Sequence, residues 1–202
     1  MRHDRTRSSP SASFHRSEAV DAVLSGMSAW ELALLFALGV ALTVLTGSLL
    51  PRVEMPEARR GIVSLQLART APRARALVEA WQCRGMLDAV RWNVRLDFPF
   101  LVAYSLTLAV GCLLVEQAAT RSGLVADGVD GVGAVFAAAG LAAGAFDFAE
   151  NVATLQMMRE GAVISPARAR TVISLAALKF ALVVIAASWI VAAPVASLVA
   201  AR

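Results

Sequence analysis

The sequence predicts an all-α, polytopic membrane protein: four transmembrane helices, with cytoplasmic amphipathic helices between the first and the second. Three observations carry this reading. Hydrophobic residues make up 58% of the 202 residues and charged residues only 17%, with a mean hydropathy of +0.65; soluble domains are usually about a quarter charged. The hydrophobic residues fall in long runs instead of alternating, which is the pattern of segments that sit in hydrocarbon. Arginine supplies 18 of the 19 basic residues, and it crowds the segments between the apolar runs. Topology and anionic lipid headgroups explain that placement more simply than nucleic acid does, although the pI is near 10.0. No nucleic-acid partner is therefore expected.

Residues 1–27 form a polar, Arg- and Ser-rich tail, read as disordered. No small-residue cleavage site follows the first apolar run, so the tail is not read as a signal peptide. Residues 28–202 read as one four-helix membrane domain. Ser28 with Glu31 has the form of a capping box, and from Leu32 to Pro51 there is no charge, roughly 30 Å at helical rise. Trp30 suits the interface, and Pro51 with Arg52 closes a first span over about 29–50.

The connection that follows reads as an interfacial helical segment over about 57–95. Thr70 and Pro72 start a helix with Leu77, Val78 and Trp81 inside it, and Gly85 suits its end. A second amphipathic stretch continues through Met86, Leu87, Val90 and Trp92. With arginines at 73, 75, 84, 91 and 95, the pair is expected to lie on the cytoplasmic membrane surface or to cover the bundle's inner mouth.

Spans two to four fall at about 97–116, 131–157 and 167–194. Asp97 and Glu116 bound the second. A Gly/Asp loop, Ala126 to Asp130, precedes the third, in which Gly140 and Gly144 form a small-residue face for close helix packing. Ser165 and Pro166 start the fourth as N-cap and first helical residue, and Lys179 and Pro194 interrupt its apolar run. Nine arginines lie between 52 and 95, and Arg159, Arg168 and Arg170 follow the third span. The positive-inside rule puts both connections in the cytoplasm of a bacterial inner membrane and both termini outside. The arginine-rich segment is then expected to meet anionic lipid headgroups, and a second copy or another protein partner is left open.

Inventory excludes some chemistry. His3 and His15 both lie in the tail, so an intramembrane histidine metal centre, triad or haem site is ruled out. Cys83 and Cys112 are too far apart in character and sequence for a metal motif or a disulfide. No cofactor fingerprint is present, and no metal site is expected.

Against that background one cluster stands out. Asp147, Glu150 and Asn151 share a face of the third helix, and ionisable groups at such depth mark a site by default. The uncharged stretch from Gly131 to Phe146 spans only about 24 Å at helical rise, so Asp147 falls at or inside the apolar boundary. The topology brings Asp97 and Lys179 to the same depth, with Tyr104 two turns further along the face of Asp97. These six residues form the candidate ligand site. Each also has a plain structural reading. Asp97 before Phe98 and Pro99 looks like an N-cap. Lys179 could snorkel to the interface or neutralise one acid. Asn151 could tie helices together, and Tyr104 could be a packed aromatic. Asp147 with Glu150 is hardest to dismiss, because two acids on one face oppose each other's ionisation.

Leu96-Asp97-Phe98 with Phe100 and Tyr104, followed one helix later by Asp147-Phe148-Ala149-Glu150-Asn151, resembles a pattern in uncharacterised bacterial four-helix integral membrane proteins. The resemblance covers roughly residues 81–155 and implies the architecture, without an activity. Three functions compete. The first is a small-ligand, proton or cation site facing the cytoplasm. The second is a structural or accessory subunit whose polar cluster only locks helix packing. The third is an enzyme on a lipidic substrate, disfavoured because no nucleophile motif, histidine or metal signature supports it. A cavity reaching Asp147 and Glu150 would favour a ligand; acids sealed against Lys179 would favour packing.

Overall fold

The computed structural model describes residues 27–121, 131–159 and 164–200, the last five as backbone only. The polar tail up to residue 26 and the Gly/Asp loop lie outside the described residues. Among the described residues six helices follow in order: α1 (Ala29–Ser48), α2 (Val63–Gln66), α3 (Ala71–Cys83), α4 (Leu87–Arg121), α5 (Val132–Arg159) and α6 (Pro166–Ala200). Among the described residues the β content is one isolated bridge, Met55 to Ala58. Four helices, α1, α4, α5 and α6, are long and apolar enough to cross a membrane, which makes this a multi-pass membrane protein. In the bundle α5 lies between α4 and α6, and α1 packs along α4.

The capping box of α1 is formed: the Glu31 N–H donates to Ser28 Oγ at 3.3 Å, and the Ser28 N–H donates to Glu31 Oε2 at 2.6 Å. Leu32 is the one residue of α1 that is buried. Leu34, Leu38, Val44 and Leu45 are exposed, so the outer face of α1 is apolar. Two glycines seat α1 on α4. A Cβ on Gly39 would fall 2.5 Å from Thr107 Oγ1, and one on Gly47 would fall 3.2 Å from Phe100.

Three glycines of α5 bring it close against α4. A Cβ on Gly133 would lie 2.6 Å from Glu116 Cβ, one on Gly140 3.0 Å from Leu108 Cβ, and one on Gly144 2.7 Å from Ser105 Cβ. A helical glycine costs about 1 kcal/mol relative to alanine; here that cost is offset by the close approach of two backbones. Each pair keeps one antiparallel register, and continuing it by two turns sets Asp97 opposite Asn151. At the other end, the Gly131 N–H donates to Glu116 Oε1 at 2.6 Å. A carboxylate from α4 thus sits where the α5 dipole favours negative charge. Helix α6 closes the bundle through Trp189, which stacks on Phe136 at 5.0 Å and donates its indole N–H to the Cys112 carbonyl at 3.2 Å.

Residues 51–86 form a folded cap over one end of the bundle. Val53, Leu65, Leu77, Val78 and Trp81 pack with Val90 and Val94 of α4 and with Met157 and Met158 of α5, all nearly inaccessible. Thr70 caps α3 by accepting from the Arg73 N–H, and Gly85 ends it with φ +67°. The Trp81 indole donates to the Val53 carbonyl at 3.1 Å, and the Asn93 amide donates to the Pro51 carbonyl at 2.7 Å. Arg84 donates to Glu57 Oε1 at 2.8 Å; that hydrogen bond holds the Glu57 carboxyl below its ordinary pKa.

Two expectations are corrected here. The second amphipathic stretch is not a separate interfacial helix: Leu87 to Arg95 are the first turns of α4, which runs unbroken through Pro99. Its apolar face, Val90 and Val94, is spent on the cap's core and not on a lipid surface. For the same reason Asp97 is not an N-cap. It lies inside α4, where backbone donors already have intrahelical partners.

The α4–α5 contact sets a test. Gly144→Val is expected to destabilise the fold by about 1–3 kcal/mol, because the added atoms force the two backbones apart. Thermal unfolding of the full chain in detergent, followed by helical circular dichroism, reads this as a lower midpoint. An unchanged midpoint would contradict the packing described.

Candidate functional site

The register of α4 and α5 and the docking of the cap converge on one cluster of polar side chains. Helix α4 supplies Asp97 and Tyr104, α5 supplies Asp147, Glu150 and Asn151, α6 supplies Lys179, and the short α2 supplies Gln66. On α5, Gly140, Gly144, Asp147 and Asn151 follow one another at helical spacing along the side that meets α4. Glu150, three residues after Asp147, turns toward α6.

Lys179 is the centre of the cluster. Its side chain is 6% exposed, and its Nζ donates to Asp147 Oδ1 at 2.7 Å and to Glu150 Oε2 at 2.5 Å. Snorkelling is therefore overturned: the ammonium turns inward, because two carboxylates within hydrogen-bond reach replace the water it would otherwise seek. The acids are satisfied on their other sides as well. The Tyr104 hydroxyl donates to Asp147 Oδ2 at 2.9 Å. The Gln66 amide donates to Glu150 Oε1 at 2.9 Å and to Oε2 at 3.3 Å.

Asp97 is held differently. The Asn151 amide donates to its Oδ2 at 2.8 Å, and no cationic side chain pairs with it among the described residues. Two of the three carboxyls thus share the cluster's one ammonium, and the third has none. Fully ionised, the cluster would carry two uncompensated negative charges, an arrangement that a proton or a bound cation relieves. Among the described residues no three His, Cys, Asp or Glu side chains are grouped to hold a metal ion; Lys179 occupies the space between two of these acids.

A cleft of about 570 Å³ reaches this cluster from the side of the bundle. Val40, Thr43 and Val44 of α1 form one wall, and Phe180 and Val183 of α6 form the other. Phe100, Thr107 and Leu108 of α4 line its floor, and Ile62 and Val63 close it beneath the cap. Polar groups gather at one end, where Gln66, Asp97, Tyr104, Asp147 and Lys179 meet the cavity. Glu150 does not line it and is buried behind Lys179 and Gln66. Val44 is 67% exposed at the rim, so the cleft opens on the outer side of the bundle.

All six site residues singled out from the sequence are brought together here, and Gln66 is the one member that sequence reading missed. A trace of it existed: a lone amide between Leu65 and Leu67, in a short apolar stretch that must pack somewhere.

Removing the central charge is expected to cost more than removing any one acid. Lys179→Met leaves two buried carboxylates facing each other, a loss of about 3–5 kcal/mol by the behaviour of broken buried pairs. Adding Glu150→Gln to Lys179→Met should recover part of that loss. Denaturant titration of the single and double variants in detergent measures both; a neutral Lys179→Met would refute the arrangement.

No family model matches the chain, and comparison with curated proteins and with solved structures gives no match, so geometry and chemistry alone speak for this site.

Proposed function

We propose that the protein is an intramembrane binding protein for an amphiphile with a cationic, hydrogen-bond-donating head. The head is held at Asp97, and the apolar tail lies between α1 and α6. The observation that carries this reading is the cleft's division into a long apolar part and one acid-lined end. Its volume falls in the range of about 300–1,000 Å³ typical of small-molecule sites. Asp147 and Glu150 are already neutralised in part by Lys179, which leaves Asp97 as the acid free to take a cationic head. Entry from the lipid phase needs no opening of the bundle, because the rim is exposed.

The sealed Glu150–Lys179–Asp147 arrangement supports a second reading, in which the cluster only locks α5 to α6 and the cap. The two readings separate at Asp97. In nanodiscs of neutral lipid, dodecylamine is expected to bind more tightly than dodecanol or dodecanoate. Asp97→Asn should weaken the amine roughly 10- to 100-fold, the worth of one charged hydrogen bond, while leaving thermal stability near that of the parent. Val44→Trp, at the lipid-facing rim, should block the amine as well. Equal binding of amine and alcohol, or indifference to Asp97→Asn, would leave only the packing role.

We also assign the chain to a bacterial inner membrane, with the arginine-rich cap in the cytoplasm and both termini outside, on the excess of arginine in residues 52–95 and after α5. The resemblance of its LDFxFxxxY and DFxEN patterns to bacterial four-helix membrane proteins supports the four-helix architecture and not the orientation. The native cysteines provide a test, since Cys83 is exposed at the end of α3 and Cys112 is buried between α4 and α6. A membrane-impermeant maleimide should label Cys83 in inverted vesicles and not in intact spheroplasts. Labelling in spheroplasts would reverse the orientation.

A further inference from the structure

A second cavity, of about 440 Å³, lies at the cap end of the bundle on the groove between α4 and α5. It has the opposite character to the first. Among the described residues, Arg91 and Arg95 of α4 and Arg159 of α5 line it, with Trp92, Leu155 and one acid, Asp88. Asp88, Arg91, Trp92 and Arg95 recur at helical spacing on one face of α4, and Leu155 and Arg159 do so on α5.

The three guanidiniums are not equivalent. Arg91 is engaged: its Nη1 donates to Asp88 Oδ1 at 2.9 Å and its Nη2 to the Met158 carbonyl at 2.9 Å, which pins α4 to the last turn of α5. Arg95 and Arg159 are exposed and make no hydrogen bond or ion pair with any described residue. Two guanidiniums on neighbouring helices, without partners among the described residues, therefore face one cavity, and the one acid among the described residues of its lining is already paired. Planar forks of this kind match a phosphate oxygen pair.

The surface below the arginines is apolar. Phe98, one turn beyond Arg95, meets Phe148 of α5 edge-on at 5.2 Å. Phe148 and Val102 are each about half exposed on the lipid side. Trp92, also about half exposed beside the arginines, is placed as interfacial tryptophans are, at the level of headgroups. The geometry points to a binding site for the phosphate headgroup of an anionic phospholipid, clamped by Arg95 and Arg159, with an acyl chain running over Phe98 and Phe148. Free phosphate shares the headgroup's chemistry but would gain nothing from the aromatic pair. This site is separate from the Asp97 cleft, and its success or failure does not depend on that reading.

The test uses the full chain in a neutral detergent, titrated with phosphatidylglycerol or phosphatidylcholine of the same acyl chains and followed by native mass spectrometry. Phosphatidylglycerol is expected to bind about 10-fold or more tightly, and Arg95→Ala with Arg159→Ala to abolish that preference. The double lysine variant should keep part of it, because charge remains while the fork is lost. Neither arginine has a partner among the described residues, so the helical signal and melting of these variants should match the parent. Phe148→Ala should weaken the lipid several-fold. Millimolar inorganic phosphate or glycerol 3-phosphate should compete poorly. Equal binding of the two lipids, or a preference that survives the alanine pair, overturns the site. Efficient competition by inorganic phosphate, together with indifference to Phe148→Ala, would reassign it to a soluble anion and overturn the lipid proposal.

Discussion

The ammonium of Lys179 is the constraint around which the intramembrane part of this protein is arranged. Burying a single ammonium costs several kcal/mol, which is recovered only if carboxylates of good geometry surround it. Helix α5 meets that demand with Asp147 and Glu150, whose spacing lets both reach one nitrogen. Those acids then need donors of their own, and these come from Tyr104 on α4 and Gln66 on α2. One buried charge thereby ties together three spanning helices and the cap. The cost of breaking such a pair exceeds its net worth when intact, so the cluster acts more as a register lock than as a source of stability.

The same lock explains why the cleft exists. Helices α4, α5 and α6 are drawn together by the cluster, by the glycine face of α5 and by the Phe136–Trp189 stack. Helix α1 has no part in any of these. It is laid on α4 through Gly39 and Gly47, and Thr43 and Thr107 stand 3.3 Å apart across that contact. With one buried residue, it leaves space between itself and α6. The cap closes the top of that space with Ile62 and Val63, and Gln66 carries the cap's contact down to Glu150. Cleft and cluster are therefore consequences of one packing arrangement.

Much of this was legible in the sequence, for reasons that differ from residue to residue. Four uncharged runs show the architecture because a bilayer leaves few ways to satisfy a backbone. Asp147 and Glu150 were visible because an acid in an apolar helix is costly wherever it points. Lys179 was visible as the one cation at matching depth, yet its direction was not, since snorkelling and pairing both suit a lysine. Asp97 misled. Asp before Phe-Pro has the form of a helix start, and only the burial of Val90 and Val94 under the cap reveals that α4 begins at Leu87. Gln66 stayed hidden because it reaches Glu150 across 84 residues of sequence, from a helix of four residues. Local pattern carries no information on a contact of that range.

The arginines show how one composition signal divides into separate physical roles. From the sequence they form a single topological marker, since any cluster of cations resists crossing a membrane. In the fold, several are consumed internally. Arg73 donates to the Glu57 carbonyl, Arg75 to the Ile164 carbonyl and Arg91 to the Met158 carbonyl. Met158 lies in the last turn of α5, so Arg91 supplies a donor to a carbonyl that a helix end leaves without a partner, while Arg75 satisfies the Ile164 carbonyl just ahead of α6. Such arginines would be needed whichever side of the membrane they occupied. Arg95 and Arg159 have no such partner among the described residues, and they lie beside the Phe98–Phe148 pair. What separates a structural arginine from one available to a ligand is thus not its place in the charge pattern but whether a carbonyl or carboxylate of the fold has already claimed its fork.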